Sequence, residues 1–499
     1  MPRKKPYSGK AKKLQLRGKK EEKRRQTAEI RNKSGLHSDN LHQGVSKNGP
    51  NSRFSLHFIE ELLETIEENK IKSRLPYSPV AEEELEFGFE DVHGEGTMSI
   101  PLRPRWNYDM TKEELEKKEQ AIFKIWMEDL TSTYKNLSYF ELNLENWRQL
   151  WRVLEISNVI LLITDVRHPI FHFSPALFNY IVDTLQKPVI LVLNKIDLVS
   201  EVTCRAWKEY FQLNFPKLHV VMFASFPREQ RNISLQNQSL GKAWGVEQLL
   251  QACCDCCCSC ESFDIDKKSL IIRAVKDWNF KVKLAQSVQE QNENMNQSGN
   301  DKDGHSANEN TEMTIQHDPF FITIGLVGSP NVGKSSIINA LVNKKVVSCS
   351  RTPGHTKHFQ TIYVTPLIRV CDSPGIVFPT LLPRCLQILS GVYPVSQVRE
   401  PYSSVQFLAE RVPLVRLLGL TWPYEPGSVS DAPTKPQWSA WAVCDAWAKK
   451  RGFHTAKAGR LDTYRAANNI LRLAVEGHIV LSVKPLGFYQ QYSTCSTVE

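Results

Sequence analysis

Apolar residues fall into two rhythms along this chain. Short unbroken runs at 159–163, 189–193, 219–223 and 322–327 are bounded by polar turns, and such runs read as strands of a parallel sheet buried on both faces. Two further strands are expected near 359–364 and 367–371. Elsewhere apolar residues recur every three or four positions, the spacing of one helix face. Leu142, Leu144, Trp147, Leu150, Trp151 and Leu154 follow that spacing, and helices are also predicted at 54–70, 111–130 and 174–186. The second of these opens on Thr111 and Glu114, a capping box. From Pro383 onward the pattern is helical. One helix there carries Trp438, Trp441, Cys444 and Trp447, and another carries Tyr464, Ala467, Ile470, Leu471 and Ala474; both have basic polar faces. Strands alternating with helices predict an α/β fold.

Three of the strands run into chemistry. The run ending at Val327 enters Gly328-Ser329-Pro330-Asn331-Val332-Gly333-Lys334-Ser335, with a helical pattern from Ser336. Strand, glycine loop and helix in that order form a phosphate-binding loop, in which inward-facing amides and a helix start cradle phosphate. Lys334 would reach the terminal phosphates and the Ser335 hydroxyl would hold Mg2+. The strand at 189–193 ends in Asn194-Lys195-Ile196-Asp197. Asp197 can accept from the ring N–H and exocyclic amine of guanine, whereas adenine has no donors there and would leave a buried carboxylate unpaired. Asn194 would fix the loop, and the Lys195 stem would lie over the base. Ala224 and Ser225, after the strand at 219–223, could offer backbone amides to the guanine carbonyl. The strand at 367–371 ends in Asp372-Ser373-Pro374-Gly375, where Asp372 could hold Mg2+ through water and the Gly375 amide could read the terminal phosphate. Between these boxes lies 350–356; Thr356 is the expected switch threonine and metal contact, with Thr352 the alternative. An ATPase or small-molecule kinase is disfavoured by Asn194–Asp197.

Charge and composition add boundaries. The net charge of +9 is concentrated in residues 1–33, which hold 14 Lys/Arg against 3 Glu. Such a tail is expected to be disordered and to serve nucleic-acid attachment or nuclear import. It has no apolar stretch behind it, as a secretory signal would. No apolar run approaches the roughly 18 residues of a membrane span. Of 12 cysteines, six lie in 253–260, where adjacent thiols are soft ligands for zinc or copper but lack the spaced pairs of structural zinc sites. A solvent-exposed reactive segment is the other expectation. The expected divisions are a basic tail (1–52), an acidic and helical region (53–136), two parts of a nucleotide-binding domain (137–286 and 320–382) separated by a polar linker (287–319), and a helical C-terminal domain (383–499). Within the second of these, 82–91 reads as a solvated acidic segment.

The guanine-reading boxes precede the phosphate boxes, the reverse of ordinary GTPases. This order, with Asp165-Val166-Arg167-His168-Pro169 and the basic tail, resembles the circularly permuted GTPases of the YlqF/YawG type over roughly 137–480. The resemblance implies a P-loop GTPase fold with a permuted, mostly parallel sheet flanked by helices. It implies GTP and GDP as ligands and Mg2+ as cofactor, with K+ held by Asn331 in some relatives. The catalytic set it implies is Lys334, Asn331, Thr356 and Gly375. Ras-like enzymes place a water-orienting glutamine where this chain has Ile376, so slow turnover assisted by a protein activator is expected. Partners would be RNA or a pre-ribosomal particle in the nucleus or nucleolus, with the cytoplasm as alternative. A GTP-loaded scaffold with incidental catalysis is the competing reading.

Overall fold

Each long strand leaves its loop at one common edge of a single sheet. The computed structural model describes residues 63–96, 98–227, 243–259, 268–269, 272–273, 275–278, 321–348, 359–365, 368–424, 437–456 and 459–492. All of these lie in one compact unit, 57–499. The basic tail, the linker at 287–319, Thr352 and Thr356 fall outside the described residues. The strands are β1 (Glu86–Phe87), β2 (Val159–Asp165), β3 (Val189–Asn194), β4 (His219–Phe223), β5 (Ile322–Gly328), β6 (Gln360–Tyr363), β7 (Ile368–Asp372) and β8 (Lys484–Pro485).

The central sheet has the order β4-β3-β2-β5-β7-β6 and is parallel except for the edge pair β6–β7. From β2 the chain steps outward through β3 and β4, then returns to the middle at β5 and builds the other half. The switch point therefore lies between β2 and β5, and ligands bind outside the carboxyl ends of strands at such a point. Register brings those ends level: Asp165 pairs with Asn194, Ile163 with Gly328, and Leu326 with Asp372.

The period of two along each strand divides the interior. Ile160, Leu162, Leu191 and Leu193 point into one core, which also holds Leu386, Val405, Val443 and Ile470 from the C-terminal helices. Val159, Leu161, Ile163, Ile190 and Val192 point into the other. There the helix Val246–Ser259 covers the sheet, and Cys253, Cys254, Cys256 and Cys257 are buried on it as apolar packing. The exposed reading of the cysteine tract is thus corrected for these four residues. Burial pushes the Cys253 thiol well above its ordinary range and Cys254 up to about 11, which keeps both protonated. Among the described residues no cluster of three or more His, Cys, Asp or Glu side chains is arranged to hold a metal ion. None of their helices is long and apolar enough to cross a membrane.

Several predicted elements shift. The capping box at Thr111 and Glu114 starts a helix that runs Lys112–Thr133. The helix expected at 174–186 is a short one, Pro175–Asn179, continued by a wider turn, Tyr180–Thr184. The acidic stretch 82–91 keeps Glu82, Glu83, Glu84, Glu90 and Asp91 exposed, as expected of a solvated segment, but its backbone is also anchored. Leu85 and Val92 are buried, β1 pairs in parallel with β8, and the Glu86 carboxylate accepts from the amides of Gly487 (2.9 Å) and Tyr489 (2.7 Å). The segment after Pro383 accordingly contributes a strand as well as helices.

Candidate active site

Asn194 ends β3 with its side chain 1% exposed and joins two loops. Its Nδ2 donates to the Val332 carbonyl at 2.7 Å, and its Oδ1 accepts from the Ser225 hydroxyl at 3.3 Å. This amide therefore ties the loop after β3 to the phosphate-binding loop and to Ser225. Lys195 follows in the left-handed region (φ +66°) and leads into the tight turn Ile196–Leu198, where Asp197 is half-buried. The Lys195 ammonium donates to Asp165 Oδ2 at 2.7 Å and to the Asn331 carbonyl at 2.8 Å. One expected contact changes. The Ala224 amide donates to the Trp244 carbonyl at 3.1 Å, so only the Ser225 amide of that pair remains for a guanine carbonyl.

The phosphate loop is shaped by its glycines. A Cβ on Gly328 (φ +153°) would stand 2.4 Å from the Ile163 carbonyl of β2, and one on Gly333 (φ +103°) would stand 2.4 Å from Asn194 Nδ2. Neither position has room for a side chain. The helix begins at Lys334, two residues before the expected Ser336, and runs to Val342. Lys334 is 7% exposed and donates to the carbonyls of Gly328 (2.9 Å) and Ser329 (2.8 Å). Burial pulls its pKa down to about 8, against the opposing effect of Asp372. Asn331 (φ +60°) donates through Nδ2 to the Gly391 carbonyl at 2.9 Å, tying this loop to the C-terminal segment.

The third arm is the end of β7. Asp372 is fully buried, accepts the Ser335 hydroxyl at 2.7 Å, and has its pKa raised by that burial. Ser373 donates to the Leu326 carbonyl at 2.6 Å, which fixes the turn against β5. Gly375 lies against Pro330, close enough that a Cβ would meet its backbone at 2.7 Å. Ile376 is 1% exposed and sits in the core rather than facing the phosphate cradle.

The family description "50S ribosome-binding GTPase" matches residues 323–403. Guanine nucleotide-binding protein-like 1 of Homo sapiens and of Mus musculus are each 40% identical to this chain, covering 99% of it and 87% of their own length. The chain belongs to the guanine nucleotide-binding protein-like 1 family. Large subunit GTPase 1 of Saccharomyces cerevisiae is 32% identical over 76% of this chain and 57% of its own. Among solved structures, GNP-bound YlqF from T. maritima aligns with 68% of this chain and 97% of its own, at 19% identity and TM-score 0.37. As a member of that family the protein is a P-loop GTPase with a circularly permuted sheet, and GTP is its ligand.

Mg2+ fits the donor set of this GTPase. Asp372 Oδ1 is buried with no hydrogen bond of good geometry among the described residues; the other oxygen is paired to Ser335, and the Gln360 side chain also interacts with this carboxylate. A buried acceptor left open in this way suits a cation's hydration shell. Ser335 and Asp372 would hold the ion, and neutralising charge between the terminal phosphates is the chemistry it supplies. Thr356, the other expected metal contact, lies outside the described residues. Sequence reasoning noted Asp165 and Arg167 only as a family resemblance and gave them no contacts. In the GTPase Asp165 meets Lys195 directly, a pairing that strand register, not local sequence, creates, and Arg167 pairs with that same carboxylate.

Proposed function

We propose that this GTPase is a slow nucleotide-dependent switch acting on RNA or a pre-ribosomal particle. One observation carries the slow turnover: Ile376 is packed into the core, with its amide donating to the Gly328 carbonyl at 3.3 Å. No side chain at that position can aim a water at the terminal phosphate, and positioning is a large part of the barrier. Lys334 and the amides of 328–335 bind and neutralise the phosphates, and Asp197 selects guanine. The missing contact comes from a protein activator or from K+ at Asn331, whose amide oxygen is left open when Nδ2 serves Gly391. Support for the particle comes from the matching family description, "50S ribosome-binding GTPase", from a relative named Large subunit GTPase 1, and from the 14 basic residues of 1–33. The same tail supports residence in the nucleus or nucleolus rather than the cytoplasm.

Burial of Ile376 equally favours a second reading, a GTP-loaded scaffold whose hydrolysis is incidental. Single-turnover GTP hydrolysis with and without purified pre-ribosomal particles separates the two. A rate increase of tenfold or more with particles is the switch result; particle binding that leaves the rate unchanged is the scaffold result. Failure to bind particles or RNA in either nucleotide state would overturn both.

A further inference from the structure

We propose that Asp165 is a positioning residue for guanine-nucleotide binding, and that Arg167 links its ion pair to docking of the C-terminal helix Thr463–Val475. The proposal rests on GTP binding at the site described above and on no assumption about RNA or particles.

The observations form an unbroken chain of contacts. Lys195, whose stem would lie on the base, places its ammonium between Asp165 Oδ2 (2.7 Å) and the Asn331 carbonyl (2.8 Å). Asp165, 1% exposed, holds Arg167 through Nε (3.0 Å), through Nη2 (2.8 Å) and through its backbone amide (3.1 Å). Arg167, also 1% exposed, sends Nη1 to the Ala474 carbonyl (2.8 Å) and Nη2 to the Val475 carbonyl (3.1 Å). These are the last carbonyls of Thr463–Val475, at the negative dipole end of the helix; that of Ala474 also accepts the Gly477 amide at 3.1 Å. The Arg167 carbonyl in turn accepts from the Val483 amide at 2.8 Å.

Asp165 is thus a single buried anion shared by two cations with different duties. Although burial alone would raise its pKa, Arg167 and Lys195 hold it well below the ordinary carboxylate range. When a base covers the Lys195 stem, water leaves the ammonium and its attraction to Asp165 strengthens as the local dielectric falls. The carboxylate is then held in the position that also fixes the Arg167 fork. By reciprocity, a docked helix that fixes Arg167 improves nucleotide affinity by the same factor that nucleotide improves docking. A merely structural ion pair would stabilise both states equally and show no such linkage.

The test uses the full chain, with GDP or a non-hydrolysable GTP analogue and no RNA. Amide hydrogen exchange is followed over 463–483, with nucleotide affinity measured in parallel. Nucleotide is expected to slow exchange in that segment of the wild type. Asp165→Asn is expected to weaken both nucleotides by about 10- to 100-fold, the loss of one hydrogen bond to a charged group, and to remove the exchange response. Arg167→Lys, which keeps charge but lacks the fork, is expected to weaken binding less and still remove the response. Wild-type exchange in 463–483 that ignores nucleotide would overturn the proposal, as would wild-type affinity in Asp165→Asn or a full response in Arg167→Lys. If neither variant folds, the wild-type comparison alone decides the linkage. Loss of particle binding would leave all these results unaffected, so the two readings fail separately.

Discussion

Alanine at position 375 tests whether the turn after β7 must touch the phosphate loop. An added Cβ would stand 2.7 Å from both the Cα and the N of Pro330 and 3.1 Å from the Lys334 ammonium. The first contact falls roughly 0.8 Å short of the ~3.5 Å optimum between heavy atoms. Pro330 offers backbone there, not a side chain that can turn aside, so the two loops must part. Gly375 is not held at a positive φ, and the penalty is therefore spatial rather than conformational. Overpacking of this kind costs about 1–3 kcal/mol, which is about 5- to 150-fold in affinity if it falls on the bound state. Titration with fluorescent GTP and GDP analogues should show the larger loss for GTP if, as proposed, the displaced turn carries the amide that reads the terminal phosphate. Wild-type affinity for both nucleotides, at an unchanged melting temperature, would refute this account of Gly375.

Five other outcomes are expected. Asp197→Asn should cost GTP about 1–3 kcal/mol by presenting a donor to one of guanine's own donors, and an unchanged guanine-over-adenine preference would remove the assignment. Lys334 titrates at about 8 when buried without phosphate, and bound phosphate raises that value; binding should then take up protons near pH 8 and weaken as pH rises further, as calorimetry in buffers of different ionisation enthalpy would show. The same lowered pKa means that the unfolded chain holds more protons between about 8 and 10.5, so this group makes nucleotide-free stability rise with pH across that window. Cys253→Ser should lower the denaturant midpoint by the equivalent of about 1–3 kcal/mol by placing a hydroxyl in an apolar core, whereas the more exposed Cys258→Ser should change it little. Deleting residues 1–33 should abolish nuclear or nucleolar accumulation and the salt-sensitive part of RNA binding; unaltered localisation and salt slope would make the tail dispensable.

By itself the sequence determined the parts that depend on neighbours along the chain. The apolar runs before Gly328, Asn194 and Asp372 specify buried strands because an unbroken run has no polar face to turn to water. Glycines at 328 and 333 with Lys334 and Ser335 specify a phosphate cradle because backbone freedom and a following helix are local properties. The order of the boxes then specifies the permutation. What tertiary structure alone decided are contacts between distant stretches. Six cysteines in eight positions suggested soft ligands, yet packing the helix Val246–Ser259 onto the sheet turned four of them into core. The Ala224 amide is expected to serve a base from its place after β4, but Trp244, 20 residues on, takes it. Nothing near Arg167 foretells that its guanidinium caps a helix end 307 residues away. Such pairings arise from strand register and from how the sheet's faces are covered. Both are settled by burial summed over the whole chain, so no single segment carries their signal.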